Sequence, residues 1–151
     1  MECRDAEMNR WMPNLPAPYE RSHAVAHIEH AAAQWAARTG AVFVIAQPDG
    51  TGIGLIELRI LSEGHGSIGY WVARAHRRRG AATTAVQLVS EWALTTLRLA
   101  RISLITDPEN IPSQRVAERA GYQREGLLRA WLSTPRGRRD CVMFSRIHRS
   151  G

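Results

Sequence analysis

The feature that most constrains this chain is a change of hydrophobic period around Arg74. Before it lie three short segments built like strands, residues 41–47, 53–61 and 67–73. The turn Pro48-Asp49-Gly50 separates the first pair, and Glu63-Gly64-His65-Gly66 the second. Runs of this length bounded by turn residues predict a three-stranded antiparallel meander. After Arg74 the period becomes helical. Ala82, Ala85, Val86, Val89, Trp92, Ala93 and Leu97 fall on one face of a helix spanning about residues 81–97. A basic loop, residues 74–79, joins the two. A sheet that hands over to a long amphipathic helix must cover its face with that helix, so the class is α/β (α+β).

The flanks extend the pattern. Upstream, residues 5–11 read as a short helical fragment and residues 12–19 as a Pro-rich loop. A helix capped by Ser22 then runs to about residue 38, with Val25, Ile28, Ala32 and Trp35 as its apolar stripe and Gly40 as its stop. Downstream come a strand at 101–106, a loop at 107–110, and a short helix opened by Pro112 and ended by Gly121. Two last strands, 122–132 and 141–147, flank Pro135-Arg136-Gly137.

The chain has 151 residues, 44% hydrophobic and 23% charged, which suits one globular domain over 1–151. The longest wholly apolar run, 41–46, is too short to span a membrane. Glu2, Arg4, Asp5 and Glu7 leave no apolar region for a secretory signal, so the expectation is a cytoplasmic protein that needs no membrane. Cys3 and Cys141 have neither metal nor CxxC spacing and read as free thiols. His23, His27 and His30 share helical spacing, but a polar helix face accounts for them as well as a metal site, and no metal is expected.

The net charge is +6, and all 20 basic residues are arginine. Guanidinium groups hold planar anions at two points and stay charged, so an anionic partner is expected. Nucleic acid is one candidate, with residues 74–79 as a phosphate-contacting loop. Against it, no aromatic run interleaves the arginines and no nucleic-acid motif is present.

The loop itself suits a pyrophosphate. A helix start exposes unpaired N–H groups and the positive end of a dipole. Gly80, Ala81 and Ala82 let a phosphate approach the backbone, Thr83 adds a hydroxyl, and Arg77, Arg78 and Arg79 add charge. A solvated basic loop before an ordinary helix would look the same in isolation. A second strand–loop–helix segment, residues 107–122, brings Asn110 and Ser113 toward this loop if both helices start at the same sheet edge. Asn110 as a turn residue and Ser113 as a helix cap is the plainer reading of that pair.

Taken together, Arg77-Arg78-Arg79-Gly80-Ala81-Ala82 resembles the [QR]xxGx[GA] acetyl-CoA loop of the GNAT acyltransferase superfamily. Residues 107–122, the run Glu125-Gly126-Leu127-Leu128-Arg129 and Gly69-Tyr70-Trp71-Val72 are similar to its RimJ/RimL branch, the ribosomal-protein N-terminal acetyltransferases. The likeness covers residues 5–147. It implies acetyl-CoA in a wedge between two splayed parallel strands, 67–73 and 101–106. The pantetheine arm would pair with backbone from Val72 to Arg74, and the pyrophosphate would sit on the N–H groups of residues 78–82. Asn110 would hold the pantetheine or acyl region, with Ser113 near the sulfur. The amine would attack the thioester directly, with a backbone N–H polarising its carbonyl.

The chain departs from the family in three places. The family begins with a strand and helix ahead of the position of Asp5, so the sheet is expected to be one strand short, or the start site to lie upstream. The family tyrosine seven residues after the Asn is Ala117 here, which leaves Ser113 as the acid. No carboxylate stands at Ile105 or in Trp131-Leu132-Ser133, where relatives carry a base. Glu57, on the second strand, is the expected proton acceptor, with Glu109 and Asp107 as rivals. Trp11 and Trp71 are candidates for a substrate wall.

An α-amine has a pKa near ~8 and lysine near ~10.4, so deprotonation at pH 7 costs about 1.4 against about 4.6 kcal/mol. A site without a strong base therefore favours a protein N-terminal amine over lysine. A small amine (an aminoglycoside or polyamine) is the alternative acceptor, and a CoA-binding fold without catalysis is a further one. The expectation is a monomer or homodimer that requires no nucleic acid.

Overall fold

The computed structural model describes residues 6–16, 18–62 and 64–148. Two helices come first, α1 (Ala6–Trp11) and α2 (Arg21–Ala37). The meander follows as β1 (Gly40–Ala46), β2 (Gly52–Ser62) and β3 (His65–Val72). A 3₁₀ turn, Arg74–His76, leads into α3 (Ala81–Thr95), then β4 (Arg101–Thr106), α4 (Ile111–Arg119) and the hairpin β5 (Gln123–Thr134) and β6 (Gly137–Ile147). The six strands form one sheet in the order β1-β2-β3-β4-β6-β5. All neighbours are antiparallel except β3 and β4.

The helical period after Gly80 does what its spacing requires. Val86, Val89, Ala93 and Leu94 of α3 are buried against Ile56, Leu58, Ile102, Leu104 and Phe144 of the sheet. Burying a side chain of this kind stabilises by about 1.5–3 kcal/mol. Ser90 in the same face is fully buried, and its hydroxyl donates to Val86 O at 2.5 Å and meets the Tyr122 hydroxyl at 2.7 Å. Burial pushes that phenol up to about 12.

Helix α2 departs from its expected orientation. Val25, Ile28 and Trp35 are exposed, and none of its residues is fully buried. The half-buried line is instead His23, Ala24, His27, Ala31 and Gln34. Small and polar groups let the helix lie close to β1, and Gln34 Nε2 reaches Glu57 at 3.3 Å. Trp35 finds an indirect use, stacked on Trp92 at 6.4 Å and edge-on to Phe43.

Both ends of α2 differ too. It starts at Arg21 rather than after Ser22, and His23 Nδ1 accepts the Glu20 N–H at 3.0 Å. Arg38, in the left-handed conformation (φ 57°), ends it. Gly40 belongs to β1, where a Cβ would stand 2.6 Å from Leu58 O. Strand β6 begins four residues earlier than expected, because Arg138 and Arg139 pair with Ser133 and Leu132.

No strand precedes α1 among the described residues, and β1 stands at one edge of their sheet. Asp5, Glu63 and Cys3 lie outside the described residues; Cys141 is free and buried. No helix of the described residues is long and apolar enough to cross a membrane.

Candidate functional site: a wedge between two parallel strands

Strands β3 and β4 pair only at their beginnings, from His65–Arg101 to Ser67–Ser103. Beyond that β3 runs on to Val72 and β4 to Thr106 without pairing, so the strands part. The opening leads into a cleft of about 850 Å³, within the usual range for small-ligand sites. Helices α3 and α4 both start at this end. The cleft is lined by Val72, Arg74, Arg77, Arg78, Gly80, Ala81, Ala82, Thr83, Asn110 and Ser113. Among the expected site residues, Arg79 and Glu57 are not part of the lining.

The loop before α3 owes its shape to two left-handed residues, Arg78 (φ 62°) and Gly80 (φ 82°). No side chain caps α3, and the first helical N–H to find an acceptor is that of Thr84, on Gly80 O at 3.0 Å. The amides of Ala81, Ala82 and Thr83 therefore point out of the helix start without an intrahelical acceptor. A Cβ built on Gly80 meets no protein atom within 4 Å, so the space above this nest is open.

Arg77 has a different task from its neighbours. Its Nε donates to Val72 O at 2.8 Å and its Nη1 to Glu7 Oε2 at 2.8 Å. It ties the loop to the end of β3 and turns its charge toward α1. Ala73 N–H is engaged by Ile53 O at 2.8 Å, so strand alternation turns the Val72 amide toward the wedge.

Asn110 caps α4, its Oδ1 accepting the Ser113 N–H at 3.2 Å. Ser113 is thus the capped residue rather than the cap, and its hydroxyl is left for the cleft. There it meets the Tyr70 hydroxyl at 3.0 Å. Burial raises the Tyr70 pKa, and the Ser113 hydrogen bond opposes that rise. Ala117, where the family tyrosine would stand, is fully buried.

Glu57 sits on β2 with its carboxylate toward Gln34 Nε2 and, at 3.8 Å, Arg59 Nε. The alternation that buries Ile56 and Leu58 against α3 turns Glu57 to the α2 side, away from the wedge. Asp107 is paired with Arg139 and Glu109 with Arg10. The carboxylate and imidazole side chains in the lining are Glu7, tied to Arg77, and His76, whose Nδ1 is buried without a hydrogen-bond partner among the described residues.

Some contributors carried little sequence signal. Helix α1 walls the cleft, with Met8 buried and Trp11 and Met12 in the lining beside Trp71. It is held by Glu7–Arg77, by Arg10–Glu109 at 2.6 Å and by Arg139 Nη1 on Arg10 O at 2.9 Å. Arg115 and Arg119, one turn apart on α4, also line the cleft, and no carboxylate of the described residues pairs with them. Their i, i+4 spacing after Ser113 was the available clue.

Among the described residues, the one parallel strand pair of a mixed sheet splays open over two helix starts, one of them uncapped and preceded by Gly80. The acetyltransferase (GNAT) domain family matches residues 1–123, and the chain belongs to that family. It is 37% identical over 86 residues to the uncharacterized N-acetyltransferase p20 of Bacillus licheniformis, an alignment covering 57% of this chain and 48% of p20. The chain thus spans about half the length of this curated relative. Among solved structures, RimJ of Mycobacterium smegmatis in complex with CoA-disulfide superposes with a TM-score of 0.77 at 27% identity, over 83% of this chain and 61% of RimJ. A GNAT-family acetyltransferase from Bacillus anthracis superposes at 0.82 over 95% of this chain and 83% of its own; at 20% identity it speaks to the fold alone.

Proposed function

We propose that the wedge holds acetyl-CoA and that the chain transfers its acetyl group to a primary amine, specifically the N-terminal amine of a protein or peptide. The observation that carries this reading is the parting of β3 and β4 directly beside the uncapped start of α3. The amides of residues 78–83 and the Arg78 side chain take the pyrophosphate, each contact with the dipole adding roughly 0.3–1 kcal/mol. Arg115 and Arg119, which pair with no carboxylate of the described residues, take the donor's remaining phosphate. The Val72 amide pairs with the pantetheine arm, and Asn110 offers its NH₂ group at the same depth. The donor supplies an activated acyl group, so the protein's own task is positioning and proton management.

The acceptor assignment follows from what the cleft offers as a base. The lining offers Glu7, ion-paired with Arg77, and the His76 imidazole, and this reading favours an amine that sheds its proton readily. Trp11, Met12 and Trp71 supply an apolar wall for the residues behind that amine.

Thermal unfolding with and without acetyl-CoA tests the proposal. Millimolar donor is expected to raise the Tm. Gly80→Glu places a carboxylate in the phosphate nest and is expected to abolish the shift. A natural chain whose Tm ignores acetyl-CoA, or a Gly80→Glu chain that keeps the full shift, would contradict the reading.

A further inference from the structure

We infer that Tyr70 acts through Ser113 as the proton-side positioning residue of this site, replacing from β3 the tyrosine that α4 lacks. The inference rests on the acetyl-transfer reading above. Ala117 is sealed in the core, so α4 has no room to present a phenol at that position. The strand across the wedge supplies one. Tyr70 lines the same cleft as Ser113, and the two hydroxyl oxygens are 3.0 Å apart although the residues lie 43 positions apart in sequence.

Either hydroxyl can donate across this contact. In the productive arrangement Tyr70 donates to one Ser113 lone pair, and the Ser113 hydrogen then points into the cleft. The Ser113 backbone N–H is already fixed on Asn110 Oδ1, which holds the residue still.

In the reaction the amine nitrogen forms the new C–N bond and the C–S bond breaks, its electron pair going to sulfur. The Ser113 proton moves to that sulfur, and the Tyr70 proton moves to the Ser113 oxygen. The phenolate recovers a proton from water, which has taken the one lost by the amine. The products are the amide and free thiol, with no charge left on the protein.

The direct test uses the whole chain with ¹³Cζ-labelled tyrosine and reads the Tyr70 resonance by NMR. CoA is expected to move this resonance, and desulfo-CoA, which has no sulfur for Ser113 to address, to move it less. The same difference is expected to vanish in Ser113→Ala. Kinetics with a short α-amine peptide give the second arm. Tyr70→Phe is expected to lower kcat about tenfold with little change in KM for acetyl-CoA, as for loss of one hydrogen bond. Ser113→Ala is expected to lower it more, and the double variant no further, because the two residues act as one unit. Equal responses to CoA and desulfo-CoA, or losses that multiply in the double variant, would overturn the inference. A wild-type chain that binds neither ligand would instead overturn the acetyl-transfer reading on which it rests.

Discussion

The wedge and the α2–β1 flank answer to different physics. At the wedge, local rules fix the outcome. Gly80 at positive φ, Pro112 early in α4, Asn110 as its cap and Gly121 at positive φ after its end each settle a backbone conformation within a few residues. At the flank, local periodicity selects the wrong face. The stripe Val25, Ile28 and Trp35 has a helical period, yet it faces out, while Ala31 and Gln34 meet the sheet. Backbone conformation can be read from neighbours in sequence. The face a helix buries is decided by what stands opposite it, here Glu57 and the closely approached strand β1.

That contrast can be broken first by stability. Leu94→Ala on the buried face of α3 is expected to cost about 2–5 kcal/mol in urea or thermal unfolding. Ile28→Ala on the expected but exposed face of α2 is expected to stay within about 0.5 kcal/mol. Equal losses would restore the periodic reading of α2 and undo the comparison.

Ligand discrimination sharpens it next. The double change Arg115→Ala/Arg119→Ala is expected to weaken CoA binding at least about tenfold by calorimetry, the scale of one charged hydrogen bond. Dephospho-CoA, lacking the third phosphate, should lose much less. A parallel loss for both ligands would move these arginines out of the phosphate site.

The smallest effect lies at the closed base of the wedge. Arg101 and Ser145 beside Glu125 hold its carboxyl down at about 2, below the ordinary value near 4.5. A depressed folded-state pKa contributes stability above the unfolded value and loses it as pH falls toward the folded one. The advantage of the natural chain over Glu125→Gln should therefore be present at pH 7 and shrink between about pH 5 and pH 2. Because the Glu125 side chain is 40% exposed, the effect should be small and weakened by salt. A difference independent of pH would assign the residue a packing role only.

Much of the wedge was legible because its parts are sequence-local: the meander, the basic loop, the glycine nest and the second helix start. The family resemblance also read the splayed strands correctly. What escaped were contacts across the fold. Arg77 reads as a phosphate ligand until Glu7 and Val72 O are seen beside it. Tyr70 reads as a strand residue until Ser113 stands opposite. Glu57 reads as a cleft carboxylate only while the face of β2 that meets α2 is unassigned. The role of α1 depends on ion pairs such as Arg10–Glu109, 99 residues apart, which no periodicity signals.

The central claim is that one set of backbone amides, where β3 gives way to α3, grips the donor. Backbone amide shifts recorded while titrating CoA into the ¹⁵N-labelled chain test it most directly. The account predicts large, saturable changes at Val72 and at Arg78, Gly80, Ala81, Ala82 and Thr83, with α2 and β1 unmoved. Saturable changes centred on α2 and β1, with the Gly80 and Ala81 amides still, would contradict it.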